Sequence, residues 1–452
     1  MDNEKEINEV EVFRELLKNK QYTALREKAL DMNEVDLAQI LDQMEDEDML
    51  KMFRLLPKDS AADVFVQLEQ ESQQYIITQL SEKEAGSIID NLWADDATDL
   101  LEEMPANVVK KILSNAKPET RADINHLLQY PDDSAGSIMT TEFMDLKQNM
   151  TVRQALDRIR EKGIDSETVN VLYVLDPKRL LLGIVSLRSL IMHDENDVIE
   201  TFMEDDIISV KTNTDQEEVA QIFQKYDFMA VPVVDKENRM VGIITVDDVM
   251  DIMEQETTED MDKMAAIIPN DKPYLKTSVF ETWKKRIPWL MLMMISATFT
   301  GKIITSFEGA LSRFIILTAY IPMLMDTGGN CGSQASTEVV RSLSIGQVHL
   351  SDFFKVVWKE MRVGLLCGVT LAGVNFLKCI FIDGVSVTIA AIICITIVCC
   401  VFFAKLIASI LVMFVTRLHL DAAVVASPML TTVIDAISLT IYFSISILLL
   451  GL

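Results

Sequence analysis

Along the first part of the chain, apolar residues recur at helical spacing in short bursts. Leu37-Ala-Gln-Ile-Leu, Ala62-Asp-Val-Phe-Val-Gln-Leu and Ser87-Ile-Ile-Asp-Asn-Leu are similar units, spaced about two dozen residues apart. Turn or capping residues such as Pro57-Lys-Asp-Ser60 fall between them. Each unit is too small to bury its own apolar face, so residues from about 10 to 130 are expected to form a helical solenoid. An irregular helical bundle fits the same periodicity equally well.

The pattern changes from residue 138 to 255, where short β-branched runs are bounded by Asp, Gly or Pro. Val174-Leu-Asp-Pro and Gly183-Ile-Val-Ser-Leu-Arg-Ser-Leu match Val233-Val-Asp-Lys and Gly242-Ile-Ile-Thr-Val-Asp-Asp-Val at a constant offset of 59. Asn149-Met-Thr-Val-Arg-Gln-Ala-Leu lines up with Asn213-Thr-Asp-Gln-Glu-Glu-Val-Ala at a slightly longer offset. Each copy predicts helix, strand, turn, strand, helix. The duplication resembles a tandem pair of CBS domains, a module that commonly dimerises and often binds adenine nucleotides.

An acidic stretch, Met250-Asp-Ile-Met-Glu-Gln-Glu-Thr-Thr-Glu-Asp, follows, and Pro269 and Pro273 break it. Residues 274–286 are expected to resume as an amphipathic surface helix carrying Tyr274, Leu275, Phe280 and Trp283. Beyond lie five apolar segments, at about 288–307, 311–343, 355–378, 385–416 and 422–450, each near or above the roughly 20 residues that cross a bilayer. Lys284, Lys285, Arg286, Arg341, Lys355, Lys359, Arg362 and Arg417 gather on one side of these spans. Lys302, Arg313 and Lys378 are on the other. The basic side predicts a cytosolic N-terminus and, with five spans, an outside C-terminus.

Charge sharpens the division. Of 41 Lys+Arg and 69 Asp+Glu, 12 and 9 lie from Glu281 onward, leaving 29 basic and 60 acidic residues before it. An excess of 31 negative charges repels nucleic acid and anionic lipid and calls for divalent counter-cations. All six cysteines lie in the apolar part, so the acidic part has no disulfide framework. Met-Asp-Asn-Glu-Lys-Glu at the start is unlike a signal peptide, so the acidic part is expected to stay in the cytosol.

Three features carry candidate chemistry. Asp435 is near the middle of an otherwise uncharged span, where a charge costs about 3 kcal/mol, so it is expected to face an ion path. The bland alternatives are a protonated carboxyl or a pair with Lys405. Ile321-Pro-Met-Leu-Met-Asp-Thr-Gly-Gly-Asn-Cys-Gly-Ser-Gln-Ala-Ser-Thr337 holds Pro322 and three glycines, which are expected to loosen the helix and free carbonyls. With Asn330, Gln334 and Thr337 those oxygens would suit hydrated magnesium. The alternative is that small residues only let helices pack closely. Asp326-Thr327-Gly328 also spells an aspartic-protease triplet, but a protease would need a paired carboxylate in a different setting, so catalysis is not expected. Third, Asp95, Asp96 and Asp99, Tyr226-Asp-Phe, Val246-Asp-Asp-Val-Met-Asp251 and Glu254-Gln-Glu256-Thr-Thr-Glu259-Asp260 concentrate carboxylates. They read either as solvated faces or as a clamp that divalent ions close.

Taken together, the segments resemble the MgtE family of magnesium transporters over essentially the whole chain. The resemblance rests on Pro322 to Thr337 with its Thr-Gly-Gly-Asn-x-Gly-x-Gln core, Pro428-x-x-Thr-Thr-x-x-Asp435, and Tyr226-Asp-Phe ahead of Thr245-Val-Asp-Asp-Val. It implies a multidomain protein with an all-α superhelical N domain (1–130) and an α/β CBS pair (131–200 and 201–257). A connecting plug helix (258–286) and a five-helix transmembrane pore domain (287–452) would follow. It further implies a homodimer in the cell membrane, with Asp435 of both copies at the ion site and Gly329, Asn330 and Thr337 nearby. Magnesium would be both substrate and regulator, the latter at Asp95, Asp99, Asp227, Asp248, Asp251, Glu256, Glu259 and Asp260. ATP at the CBS pair fits the resemblance, with no residue assigned to it. Asp326 and Glu338 depart from the family's pattern, and either would alter conductance or ion preference. With no Gly-x-x-x-x-Gly-Lys motif for ATP-driven pumping, uptake is expected to be passive. A divalent ion gains about 4.6 kcal/mol on entering at −100 mV. The competing readings are a pore for cobalt, manganese or another divalent ion, and a membrane-anchored nucleotide or metal sensor.

Overall fold

The computed structural model describes residues 2–102, 104–270, 274–307, 314–418, 420–425 and 428–450. They fall into two units, Met1–Ile252 and Met253–Leu452. The first unit opens with α1 (Asp2–Lys18), α2 (Tyr22–Leu30), α3 (Glu34–Asp42), α4 (Asp46–Phe53) and α5 (Lys58–Val66). It continues with α6 (Gln70–Gln79), α7 (Glu82–Ile89), α8 (Ala94–Glu102), α9 (Ala106–Asn115) and α10 (Pro118–Leu127). Polar caps and prolines start them. Asn33 accepts the Val35 N–H, Ser81 and Glu84 cap each other's backbone, and Pro57, Pro105 and Pro118 stand where a helix needs no N–H. Helices two apart in sequence stack, α3 on α5 on α7 on α9 and α4 on α6 on α8 on α10. This is a solenoid and not an irregular bundle. Its core buries Phe13, Leu25, Leu41, Met52, Phe65 and Ile76, at about 1.5–3 kcal/mol for each large apolar side chain.

The duplicated region follows as β1 (Phe143–Leu146), α11 (Val152–Lys162), β2 (Thr168–Leu175), β3 (Leu181–Ser186) and α12 (Leu187–Met192). Its second copy is β4 (Val210–Lys211), α13 (Gln216–Tyr226), β5 (Ala230–Val234), β6 (Met240–Thr245) and α14 (Val246–Met264). In each copy the leading strand runs parallel to the second, and the second pairs antiparallel with the third. Val174 faces Gly183 as Val233 faces Gly242, so the constant offset is one conserved register. The longer upstream offset arises because the first copy inserts a 3-10 turn, Gly163–Asp165, ahead of an earlier-starting β2. The paired glycines have a packing reason. A Cβ on Gly242 would stand 2.5 Å from the Thr140 carbonyl oxygen, and one on Gly183 would stand 2.7 Å from the Met203 sulfur. β1 and β4 are too short for alternation to reveal.

The second unit holds α15 (Val279–Ser306), α16 (Ile321–Ser344), α17 (Phe353–Phe381), α18 (Val387–Arg417), the short α19 (Ala422–Val425) and α20 (Pro428–Leu450). α18 packs against α16, α17 and α20. Among the described residues four helices are long and apolar enough to cross a membrane, Val279–Ser306, Leu350–Phe381, Val387–Arg417 and Met429–Leu450. α16 is not among them because glycines and polar side chains dilute its apolar content. Residues 311–313 of the expected second span lie outside the described residues.

Two expectations are corrected. Residues 274–286 form no separate surface helix: Ser278 accepts the Glu281 N–H and starts α15, which continues through Pro288 into the apolar segment. Nor is α16 broken at its glycines. Pro322 falls in its first turn, where no backbone partner is lost, and packing against α20 compensates the glycines' flexibility. The carbonyls from Gly328 to Gly332 are therefore helical, not freed as ligands.

Candidate functional site

α16 and α20 meet through small residues. A Cβ on Gly328 would lie 2.7 Å from the Ser438 hydroxyl oxygen, one on Gly332 2.0 Å from Ile434 Cδ1, and one on Gly329 4.0 Å from Asp435 Oδ1. The close approach brings Gly329 beside the half-buried carboxylate of Asp435. Among the described residues no ion pair or hydrogen bond engages that carboxylate, and Lys405 pairs with Glu360 instead. The alternative of an Asp435–Lys405 pair is thereby removed. The other face of α16 carries exposed Asp326, Asn330, Gln334, Thr337 and Glu338, and an open groove of about 680 Å³ runs along Asn330, Ser333, Gln334, Thr337 and Glu338. Gly329 thus adjoins Asp435, whereas Asn330 and Thr337 line this neighbouring polar stripe. Asp326 lies within electrostatic reach of Asp435. A polar stripe facing hydrocarbon would leave its groups unsatisfied, so it needs water, an ion or another chain.

In the first unit, oxygens of Asp95 (α8), Glu167 (ahead of β2) and Asp248 (first turn of α14) lie within 4.8 Å of one another. The solenoid, the first copy and the second copy of the repeat each supply one carboxylate. Thr245 Oγ1 lies 3.2 Å from Glu167 and also bonds Asp248, yet has one proton to give. Among the described residues Glu167 Oε2 is buried with no hydrogen-bond partner. Burial, then Glu167, Asp96 and Asp248, hold the Asp95 carboxyl well above the ordinary range. Burial and Asp248 lift Asp96 to about 6, burial and Glu102 lift Asp99 to about 7, and burial and Asp248 lift Glu167 to about 7. Burial also raises Asp248, against the Thr245 hydrogen bond. Carboxylates crowded this way, with an orphan buried oxygen among them, have the donor set of a hard divalent cation.

The remaining expected residues separate into two groups. Asp227 is exposed and caps α13 at φ 54°, a left-handed conformation that Asp tolerates. Asp251 is also exposed, and neither joins the Asp95 cluster. In the second unit Lys263 bridges Glu259 and Asp421, each at 2.6 Å. Burial and Asp421 lift Asp260 to about 6, with smaller contributions from Glu256 and Glu259. Sequence reasoning missed Glu167, Asp421, Lys263 and Glu360. Asp421 and Glu360 were visible as isolated acids beside or within apolar segments; Glu167 stood in a loop and gave no periodic signal.

Comparison with known proteins agrees with this layout. The family described as "MgtE: Divalent cation transporter" matches residues 321–445, the MgtE intracellular N domain matches 32–133, and CBS domains match 135–196 and 198–255. The chain is 37% identical to the magnesium transporter MgtE of Thermus thermophilus over 97% of its own length and 98% of that protein's. It is 33% identical to the magnesium transporter MgtE of Enterococcus faecalis over 73% of its own length and 72% of that protein's. A crystal structure of the soluble part of a magnesium transporter aligns at a TM-score of 0.52 and 33% identity, covering 56% of this chain and 99% of that one. The cytosolic domain of the Mg2+ channel MgtE in complex with ATP aligns at 0.52 and 36%, covering 54% and 99%.

Proposed function

The chain belongs to the MgtE family, and from that premise we propose that it carries Mg2+ passively across the membrane past Asp435, under closure by Mg2+ bound to its acidic cytosolic part. The observation that carries this reading is the pairing of α16 with α20. A carboxylate without an ion-pair partner among the described residues stands beside Gly329, at the edge of a polar stripe that hydrocarbon would not accept. Two copies of the chain facing each other through these stripes would enclose a polar path. Asp435, with Asn330 and Thr337 nearby, would attract an ion that keeps most of its water. A homodimer with cytosolic N-termini and outside C-termini is the assembly this reading requires.

Regulation is proposed at two places. Asp95, Asp99, Glu167 and Asp248 would hold Mg2+ between the solenoid and the repeat, with Asp227 and Asp251 contributing on the exposed side. Glu256, Glu259 and Asp260 would do so beside Asp421. Magnesium neutralises carboxylates that otherwise repel, so its binding favours whichever arrangement brings them together. The ATP-bound relative supports nucleotide binding at the CBS pair as a further input.

The test is Mg2+ entry into liposomes holding the purified chain, with Asp435→Ala and Asp435→Asn beside the wild type. Flux lost in both variants supports the ion path. Wild-type flux with either variant rejects Asp435 as the ion site, and no wild-type flux with any divalent metal favours an anchored sensor.

A further inference from the structure

Glu360 on α17 and Lys405 on α18 are charged side chains enclosed among apolar helices. They are 7% and 6% exposed, and their charged atoms stand 3.9 Å apart. Such a pair is costly to bury and is no evidence of stability in itself, and the ion path proposed above does not use it. Its location gives it a role. A Cβ on Gly332 would stand 3.7 Å from the Ala404 carbonyl oxygen on one side and 2.0 Å from Ile434 Cδ1 on the other. Lys405 follows Ala404 and Asp435 follows Ile434, so both residues belong to the helical turns that pack on Gly332. Cys331, next to Gly332, lies within electrostatic reach of Lys405. On the far side, Gly364 leaves room for the lysine stem: a Cβ there would be 3.6 Å from Lys405 Cβ. Among the described residues Glu360 is the ion-pair partner of that ammonium.

We propose that Glu360 is a positioning residue for cation passage, neutralising Lys405 so that its charge neither pairs with Asp435 nor repels a divalent ion there. The inference rests on the reading of Asp435 as the ion site. In a low-dielectric interior a charge without its partner acts at long range and seeks another carboxylate. Without Glu360, α20, the helix that meets α18 at Gly332, offers Asp435 as its single carboxylate. Losing Lys405 instead leaves an extra negative charge, which does not oppose a cation. The two single losses are therefore unequal in their effect on flux, whereas a purely structural pair would suffer alike from either.

The experiment measures Mg2+ entry into liposomes for the full chain and for Glu360→Gln, Lys405→Met and the double variant, normalised to folded protein. Glu360→Gln is expected to lower flux by at least ~10-fold, and Lys405→Met and the double variant to stay within about threefold of wild type. The double variant decides the matter even where Glu360→Gln alone does not fold. If it too loses flux, Glu360 acts otherwise than through Lys405 and the inference is overturned. Wild-type flux in Glu360→Gln, or equal losses in the two single variants, also overturns it. Asp435→Ala beside these variants separates the two readings: flux retained there removes the ion site, and with it the premise.

Discussion

Asp435 brings a single carboxylate into α20, whose other residues from Pro428 to Leu450 carry no charge. Replacing it with Asn keeps size and most hydrogen bonding and removes only the charge, so flux should fall by at least ~100-fold while the protein still reconstitutes. Glu167 supplies the complementary case. Its buried Oε2 has no partner among the described residues, and burial together with the Asp248 charge raises Glu167, Asp95, Asp96 and Asp99 alike. Asp96 near 6 and Asp99 and Glu167 near 7 hold protons that the unfolded chain releases near pH 4. The contribution of these groups to metal-free stability is therefore fully present below about pH 4 and is lost as pH rises through 6 to 7. Stabilisation by Mg2+ should grow over the same window, since ligands must be deprotonated. Thermal unfolding at pH 5 and pH 8, with and without Mg2+, checks both signs. In that assay Glu167→Gln should raise the metal-free midpoint at pH 8 by about 2–4 °C, after discounting for partial exposure, and reduce the gain from Mg2+.

At the scale of elements, glycine positions make the sharpest predictions. Gly242→Ala drives a methyl to 2.5 Å from a backbone oxygen of Thr140, and should destabilise the repeat by about 1–3 kcal/mol, read by chemical denaturation. Gly329→Ala finds its nearest neighbour, Thr431 Cγ2, at 3.5 Å and should be tolerated in stability while crowding Asp435. The repeats themselves were legible because they recur: the solenoid from its spaced apolar units, and β2–β3 and β5–β6 from a constant offset. β1 and β4 were not, since strands of four and two residues leave no periodic trace. The continuity of α16 was misread from local propensity, because the contacts that hold its glycines come from α20, more than 90 residues away in sequence. Asp435, Gly329, Asp95 and Asp248 could be named from sequence, one by one. Glu167 joins Asp95 and Asp248 only through tertiary structure, and Lys263 reads as a surface charge until Asp421 is found opposite it.

For the whole molecule, the uneven charge is the organising fact: 60 acidic and 29 basic residues precede Glu281, against 9 and 12 from Glu281 onward. Charge of one sign at that density repels itself, and bound divalent cations would relieve the repulsion. The proposed regulation couples that response to the apolar unit, where the connecting helix α14 ends near Glu259, Asp260, Lys263 and Asp421. The most direct test is Mg2+ entry into liposomes holding the wild-type chain, recorded while Mg2+ is varied on the side of the acidic domains. The account predicts flux at low Mg2+ on that side and suppression as it rises, with the suppression weakened in an Asp95→Asn/Asp248→Asn variant. Flux that is indifferent to Mg2+ on that side, or absent at every concentration, would contradict it.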